Sequence, residues 1–203
     1  MTGHAAARHA PAQPRRRAVL RRLWSGLPAA LLLGLATSPA QAQAPSAAEY
    51  QVKAAFLVKF GSYVEWPAPV FEGRDSPFVI GVLAAGAVAD EVERAAAGAV
   101  VDGRPVLVRR LERLERSEPF PGMHLLFIDR SRSGLLADTL GLARGRPLLT
   151  VTESEQALAL GVMVNFVIVE NKVRFDIALA PAEASQLKIS ARLLAVARRV
   201  LKG

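Results

Sequence analysis

Apart from the Glu170-Asn171-Lys172 segment between its two arms, three polar residues interrupt an otherwise apolar ribbon, VMVNFVIVENKVRFDIAL from Val162 to Leu179: Asn165, Arg174 and Asp176. An amide and a guanidinium at such a place suit recognition of an anionic group, because both pair well with carboxylate or phosphate oxygens. Lys188 and Arg192 lie a short way downstream and extend the set. The plainer alternative is an Arg174 to Asp176 pair on one strand face, with Lys188 and Arg192 on a solvated helix flank.

Catalytic chemistry narrows by subtraction. The histidines are His4, His9 and His124, and only His124, inside MHLLFI, lies in the body of the chain. A lone histidine in an apolar strand is more often a hydrogen-bonded core residue than a catalyst. The chain has no cysteine, so it offers no thiolate nucleophile, no thiol switch and none of the common zinc-ligand sets. It carries no phosphate-binding P-loop, no dinucleotide glycine fingerprint and no G-x-S-x-G elbow. Asp129 ends an apolar strand, where a phosphoryl acceptor could sit, but no early strand supplies the acidic cluster that would hold Mg²⁺. A capping or loop role is the reading for Asp129. The expectation is a protein without catalytic residues, metal or cofactor.

The elements that must position these groups alternate in type. Val162 to Val169 is apolar at every position but Asn165, the pattern of a strand covered on both sides. Val173, Phe175, Ile177 and Leu179 alternate with Arg174, Asp176 and Ala178, the period of a strand with one buried face. With Asn171-Lys172 as a two-residue turn, Val169 pairs with Arg174, Val167 with Asp176 and Asn165 with Ala178, so that Asn165, Arg174 and Asp176 share a face. Upstream, Ser46-x-x-Glu49 is a capping box opening a helix whose apolar residues Val52, Phe56, Phe60 and Tyr63 recur at helical spacing until Pro67. Lys53, Lys59 and Glu65 interrupt that surface. Phe78 to Leu83, Met123 to Ile128 and Leu148 to Thr152 read as strands, and Ala87 to Ala97, Gly134 to Ala143 and Glu153 to Leu160 as helices. Val100-Val101 and Val106 to Val108 flank a turn, and Arg109 to Arg116 reads as a solvated helical turn. At the end of the chain Ile189, Leu193, Ala197 and Val200 line one side of a helix. Either that helix runs from Leu187, with Lys188, Arg192 and Arg199 as a cationic stripe, or Leu187 to Ile189 is extended and Ser190 is the N-cap. The whole is a single-domain α/β fold, helices layered around a mixed central sheet, with a C-terminal β-hairpin followed by a helix.

Charge separates the first 42 residues from the rest. The chain is formally +8, but Arg8, Arg15, Arg16, Arg17, Arg21 and Arg22 precede residue 43 and no acid does, leaving 20 cations against 18 acids, or +2, beyond it. The case for a nucleic-acid partner therefore falls away. An Arg-rich start, an apolar stretch around Leu23 to Ala36 and Ala40-Gln41-Ala42 form the three parts of a secretory signal peptide cleaved after Ala42. The competing readings are an uncleaved amphipathic anchor and, for Arg16-Arg17, twin-arginine export. The expected mature domain is 43–203.

KAAFLVKFGSYVEWP (Lys53 to Pro67), IGVL (Ile80 to Leu83), HLLFI (His124 to Ile128), LLTV (Leu148 to Val151), GVMVNF (Gly161 to Phe166), VRFDI (Val173 to Ile177) and LKISARLL (Leu187 to Leu194), taken in order, resemble the YfiR family of exported proteins. The resemblance implies a periplasmic α/β domain, commonly dimeric, without catalytic activity. It also implies binding to the periplasmic domain of an inner-membrane signalling protein, either repressing a diguanylate cyclase and cyclic di-GMP signalling or acting with a histidine kinase. By motif position the polar residues carried over are Lys53, Glu65, Asn165, Arg174, Asp176, Lys188, Ser190 and Arg192. The alternative is a periplasmic sensor module for a small nucleotide or other anionic ligand. Two departures bear on the reading: Gly61-Ser62 interrupts the first motif and predicts a helix kink, and the absence of cysteine rules out disulfide-gated control.

Overall fold

A computed structural model describes residues 46–115 and 117–202; the expected signal peptide lies outside them. Ser46 caps the first helix, α1 (Ala47–Gly61), its hydroxyl accepting the Glu49 N–H at 3.2 Å. The capping box is only half made, because the Glu49 carboxylate turns instead to the Lys53 ammonium. Ser62 closes α1, its N–H bonding to the Lys59 and Phe60 carbonyls, and the Trp66 indole donates to the Gly61 carbonyl at 3.0 Å. The expected kink is absent because Gly61 ends the helix. A Cβ there would come within 2.9 Å of both Val101 methyls and 3.0 Å of the Phe78 ring, so glycine lets α1 pack closely on the sheet.

Beyond α1 come β1 (Val64–Glu65), a 3₁₀ turn (Ala68–Val70), β2 (Phe78–Leu83), α2 (Gly86–Ala96), β3 (Val100–Val101) and β4 (Arg104–Arg110). Next are β5 (Leu125–Ile128), a 3₁₀ segment (Arg130–Leu135), α3 (Leu136–Ala143), β6 (Leu149–Thr152), β7 (Val164–Val169) and β8 (Lys172–Ala178). The chain closes with α4 (Leu179–Ala184), β9 (Lys188–Ile189), α5 (Ala191–Val196) and β10 (Arg199–Leu201). Eight strands form one mixed sheet in the order β10-β8-β7-β6-β5-β2-β4-β3, and β1 pairs with β9 in a separate antiparallel ribbon. Strands β4, β2, β5, β6 and β7 run parallel; the β7–β8 hairpin is antiparallel, and β10 lies parallel to β8.

Every residue of β2, β5 and β6 is buried, as in a parallel sheet covered on both faces. Alternation divides their side chains. Ile80, Val82, Leu125, Phe127, Leu149 and Val151 meet α1 and α2, while Val79, Leu83, Leu126, Ile128 and Leu148 meet α3 and the turns around Ala157. Gly81 sits where a Cβ would lie 2.7 Å from the Met123 sulfur. On the first face Phe56 and Phe60 pack on Phe166 and Phe175, with ring centroids 5.2–6.2 Å apart. That aromatic layer ties the hairpin to α1.

Several expectations change. Residues 153–160 form turns rather than a helix, and Arg104–Arg110 is a strand, so the charged stretch after Arg109 continues β4 before it bends. Val52 is 44% exposed, and Tyr63 lies beyond the helix; the buried stripe is Lys53, Ala54, Leu57, Phe60 and Gly61. The hairpin turn is Glu170-Asn171, both with positive φ (49° and 58°), one residue earlier than Asn171-Lys172. Pairing therefore moves by two, with Asn165 opposite Asp176 and Val167 opposite Arg174. A shift of two preserves which residues share a face. At the C-terminus the second of the two readings holds: Lys188–Ile189 is a strand and Ser190 the N-cap, its hydroxyl accepting from Leu193 at 3.3 Å, and the helix stops at Val196. Arg199 is thus on a strand, and the Lys188, Arg192, Arg199 stripe of the continuous-helix reading does not form.

Candidate functional site

The carried-over residues fall into three groups. Lys53 is 2% exposed, although its place in an amphipathic helix suggested a solvated interruption. Its ammonium bonds to Glu49 one turn earlier and to Glu153, at the C-terminal end of β6. Arg130, following β5, reaches Glu153 with both its backbone N–H and its guanidinium at 3.3 Å. Beside it the Asp129 carboxylate accepts the Ala85 N–H at 3.3 Å and the Ser131 hydroxyl at 2.5 Å, joining the ends of β2 and β5. Its role is the loop-anchoring one. Burial, followed by the Glu153 and Asp129 charges, pushes the Tyr50 phenol above its ordinary pKa. In open α/β sheets the crevice where strand order reverses is a common ligand position. Here the reversal falls between β2 and β5, and the chain's own Asp129, Arg130, Glu153 and Lys53 side chains occupy that edge.

The second group sits on the β1–β9 ribbon. Glu65 and Lys188 are register partners with charges 3.6 Å apart, both largely exposed. Such a pair is worth only ~0–1 kcal/mol, so both side chains are free to exchange partners. Ser190 is half-buried, donating its N–H to the Tyr63 carbonyl at 2.9 Å, and Arg192 is exposed on α5. The YVEWP and LKIS segments of the sequence are thus adjacent strands in space.

The third group is the hairpin. Asn165 is buried, its side-chain oxygen accepting the Ser154 N–H at 3.1 Å. Asp176, 1% exposed, is held by a two-pronged bond from Arg198, with Nε to Oδ1 at 2.7 Å, and by Arg199 at 2.9 Å. Burial pushes the Asp176 carboxyl up, but the Arg198 and Arg199 bonds and charges outweigh that and hold it below the usual range. The Arg174 to Asp176 pair of the plainer reading does not form: these two arginines hold Asp176, while Arg174 itself points out exposed beside Val167. Sequence reasoning missed Arg198 and set Arg199 on a helical stripe instead of on Asp176, because RRVL continues an i, i+3, i+4 apolar pattern and reads as helix.

His124 is buried at 3% exposure. Its Nδ1 accepts the Val79 N–H at 3.1 Å, and its ring stacks on Phe71 (4.4 Å) and Phe78 (5.2 Å). Burial pushes its pKa down to about 4, so the ring is neutral at physiological pH. It is a core acceptor, as a lone histidine in an apolar strand is expected to be.

Comparison with known proteins decides the family. The model of the YfiR/HmsC-like family matches residues 50–198, more than half of the chain. The chain belongs to the YfiR/HmsC-like family. The match takes in α1 from Tyr50, the β1–β9 ribbon, the hairpin and Arg198, so all three polar groups are part of the family domain. A search of curated proteins gave no match. Among solved structures, a cystathione gamma lyase (CalE6) from Micromonospora echinospora is similar at 18% identity and a TM-score of 0.39. That likeness covers 58% of this chain and 31% of the lyase, so the chain spans about a third of that protein's length, and it carries no argument. No helix among the described residues is long and apolar enough to cross a membrane.

Proposed function

We propose that the protein is exported, losing residues 1–42, and that its 43–203 domain is a periplasmic, non-enzymatic regulator of an inner-membrane signalling enzyme. In this reading it binds the periplasmic part of a diguanylate cyclase and restrains cyclic di-GMP synthesis, and so biofilm formation. The family match over residues 50–198 is the observation that carries it. The exposed Glu65, Arg174, Lys188 and Arg192 are the contact residues in this account. The buried Lys53, Asn165 and Asp176 hold the elements that present them, and Ser190 sets the start of α5. A homodimer is compatible with it. The test is genetic and biochemical together: crosslinking in intact cells recovers a membrane protein with a cyclase domain, and charge reversal at Arg174 breaks that complex without unfolding the domain. Recovery of a histidine kinase alone would replace the cyclase with that output.

A cleft of about 490 Å³ between the loop after β4 and α3 favours a second reading, a small-molecule sensor. Its size is ordinary for a ligand pocket, with Leu114, Leu135 and Leu142 as apolar lining and Glu112, Arg113 and Asp138 as charged lining. Arg174, Lys188 and Arg192 are not among the residues lining it. Thermal shifts with a panel of anionic metabolites test this reading, and Gly141→Leu, which fills the cleft, should abolish any stabilisation seen.

A further inference from the structure

We propose that the outer edge of β10, with the cationic face of β8 and β10 beside it, receives an extended acidic segment of the partner protein as an added strand. The inference rests on the regulatory reading and names the partner chemistry of its hairpin site. Strand β10 is the last in the sheet, and among the described residues no strand pairs with its other side. The Arg198 N–H bonds to the Phe175 carbonyl on β8. In the parallel register Asp176 and Ala178 turn their backbone groups to β7, so Arg199 and Leu201 bond to β8 and Val200 presents its N–H and C=O outward, a template for a further strand.

The chemistry of the face beside this edge selects the occupant. Lys172, Arg174 and Asp176 share one side of β8, and Arg199, in register with Asp176, shares it too. With Arg198, which reaches the same carboxylate, four cations meet one acid there. Asp176 neutralises one of the two guanidiniums that bind it, and both remain part-exposed, with side chains 41% and 58% accessible. Each keeps unused N–H donors, already oriented by the shared carboxylate, so ordering them for a second carboxylate costs little entropy. Leu201 and Val196 add exposed apolar surface at the same end. A second copy of the chain fits poorly: β10 on β10 would bring arginine-bearing strands together, and like charges across a strand pair are destabilising. An acidic strand with apolar residues at alternate positions satisfies edge, charge and apolar contact at once.

The test uses the full exported chain in its native cells, with a photoreactive residue in place of Leu201 and the crosslinked peptide mapped by mass spectrometry. The expected product joins position 201 to an acidic, extended segment of a membrane protein. Its yield falls roughly tenfold on Arg174→Glu or Lys172→Glu, with melting temperature retained. In the chain without the photoreactive residue, Val200→Pro removes the outward N–H and loses regulation, while Val200→Thr, which keeps it, does not. A self-crosslink, a mapped segment without acidic residues, or no product from position 201 overturns the proposal. If deleting the gene leaves cyclic di-GMP unchanged, the cyclase reading fails separately, and the mapped segment still decides this one.

Discussion

Lys53, 2% exposed, is held between Glu49 and Glu153, and its removal leaves the buried Glu153 with only part-exposed Arg130. Breaking a buried pair by deleting one partner costs ~3–5 kcal/mol, so Lys53→Met should lower the melting temperature on the order of 10 °C. Pairing it with Glu153→Gln should recover part of the loss, which calorimetry of the two variants checks. His124 gives the domain a pH dependence. Its folded pKa of about 4 lies below the unfolded value near 6.5, so between those values the unfolded chain binds more protons and stability falls as pH drops. His124→Asn retains an acceptor for the Val79 N–H and does not titrate. Urea titrations from pH 7 to 4 should show a flatter decline for that variant than for the wild type. At this scale the sequence showed which residue types matter but not their partners. Lys53 looked like an interruption of an apolar surface because Glu153 lies a hundred positions away, and no local pattern announces so distant a pairing.

Among elements, strands β2, β5 and β6 were legible as continuous apolar runs, and the β7–β8 hairpin as an alternating one, because burial on two faces or one leaves a period in the sequence. The register was displaced by two, since ENK offers two adjacent turn positions and only backbone geometry selects Glu170-Asn171. Glutamate at φ 49° is unfavourable, so Glu170→Asn should raise stability by about 0.5–1 kcal/mol, measurable by urea unfolding. Strand β10 was illegible: it has three residues, and the preceding Leu193 and Ala197 fall at helical spacing with Val200. What makes it a strand is Asp176, which gathers Arg198 and Arg199 onto the edge of β8. Asp176→Asn should cost roughly 1.5–3 kcal/mol and speed amide exchange at residues 198–201 more than in β5. Equal exchange in both strands would show that β10 is held by other contacts.

Over the whole molecule, the two-faced core and the mixed sheet make a platform that carries exposed charge at the hairpin and the β1–β9 ribbon, and also on α2 and β4. The family assignment was legible because seven ordered segments resembled it, and they map to α1 and to the strands and caps that build the site. Export is the complementary claim: mature protein from cell envelopes should begin at Gln43. The most direct test of the central claim is intracellular cyclic di-GMP in a strain lacking the gene, complemented either with the full chain or with residues 43–203 retained in the cytoplasm. The account predicts a rise on deletion that the exported chain reverses and the cytoplasmic one does not. No rise, or full reversal by the cytoplasmic form, would contradict it.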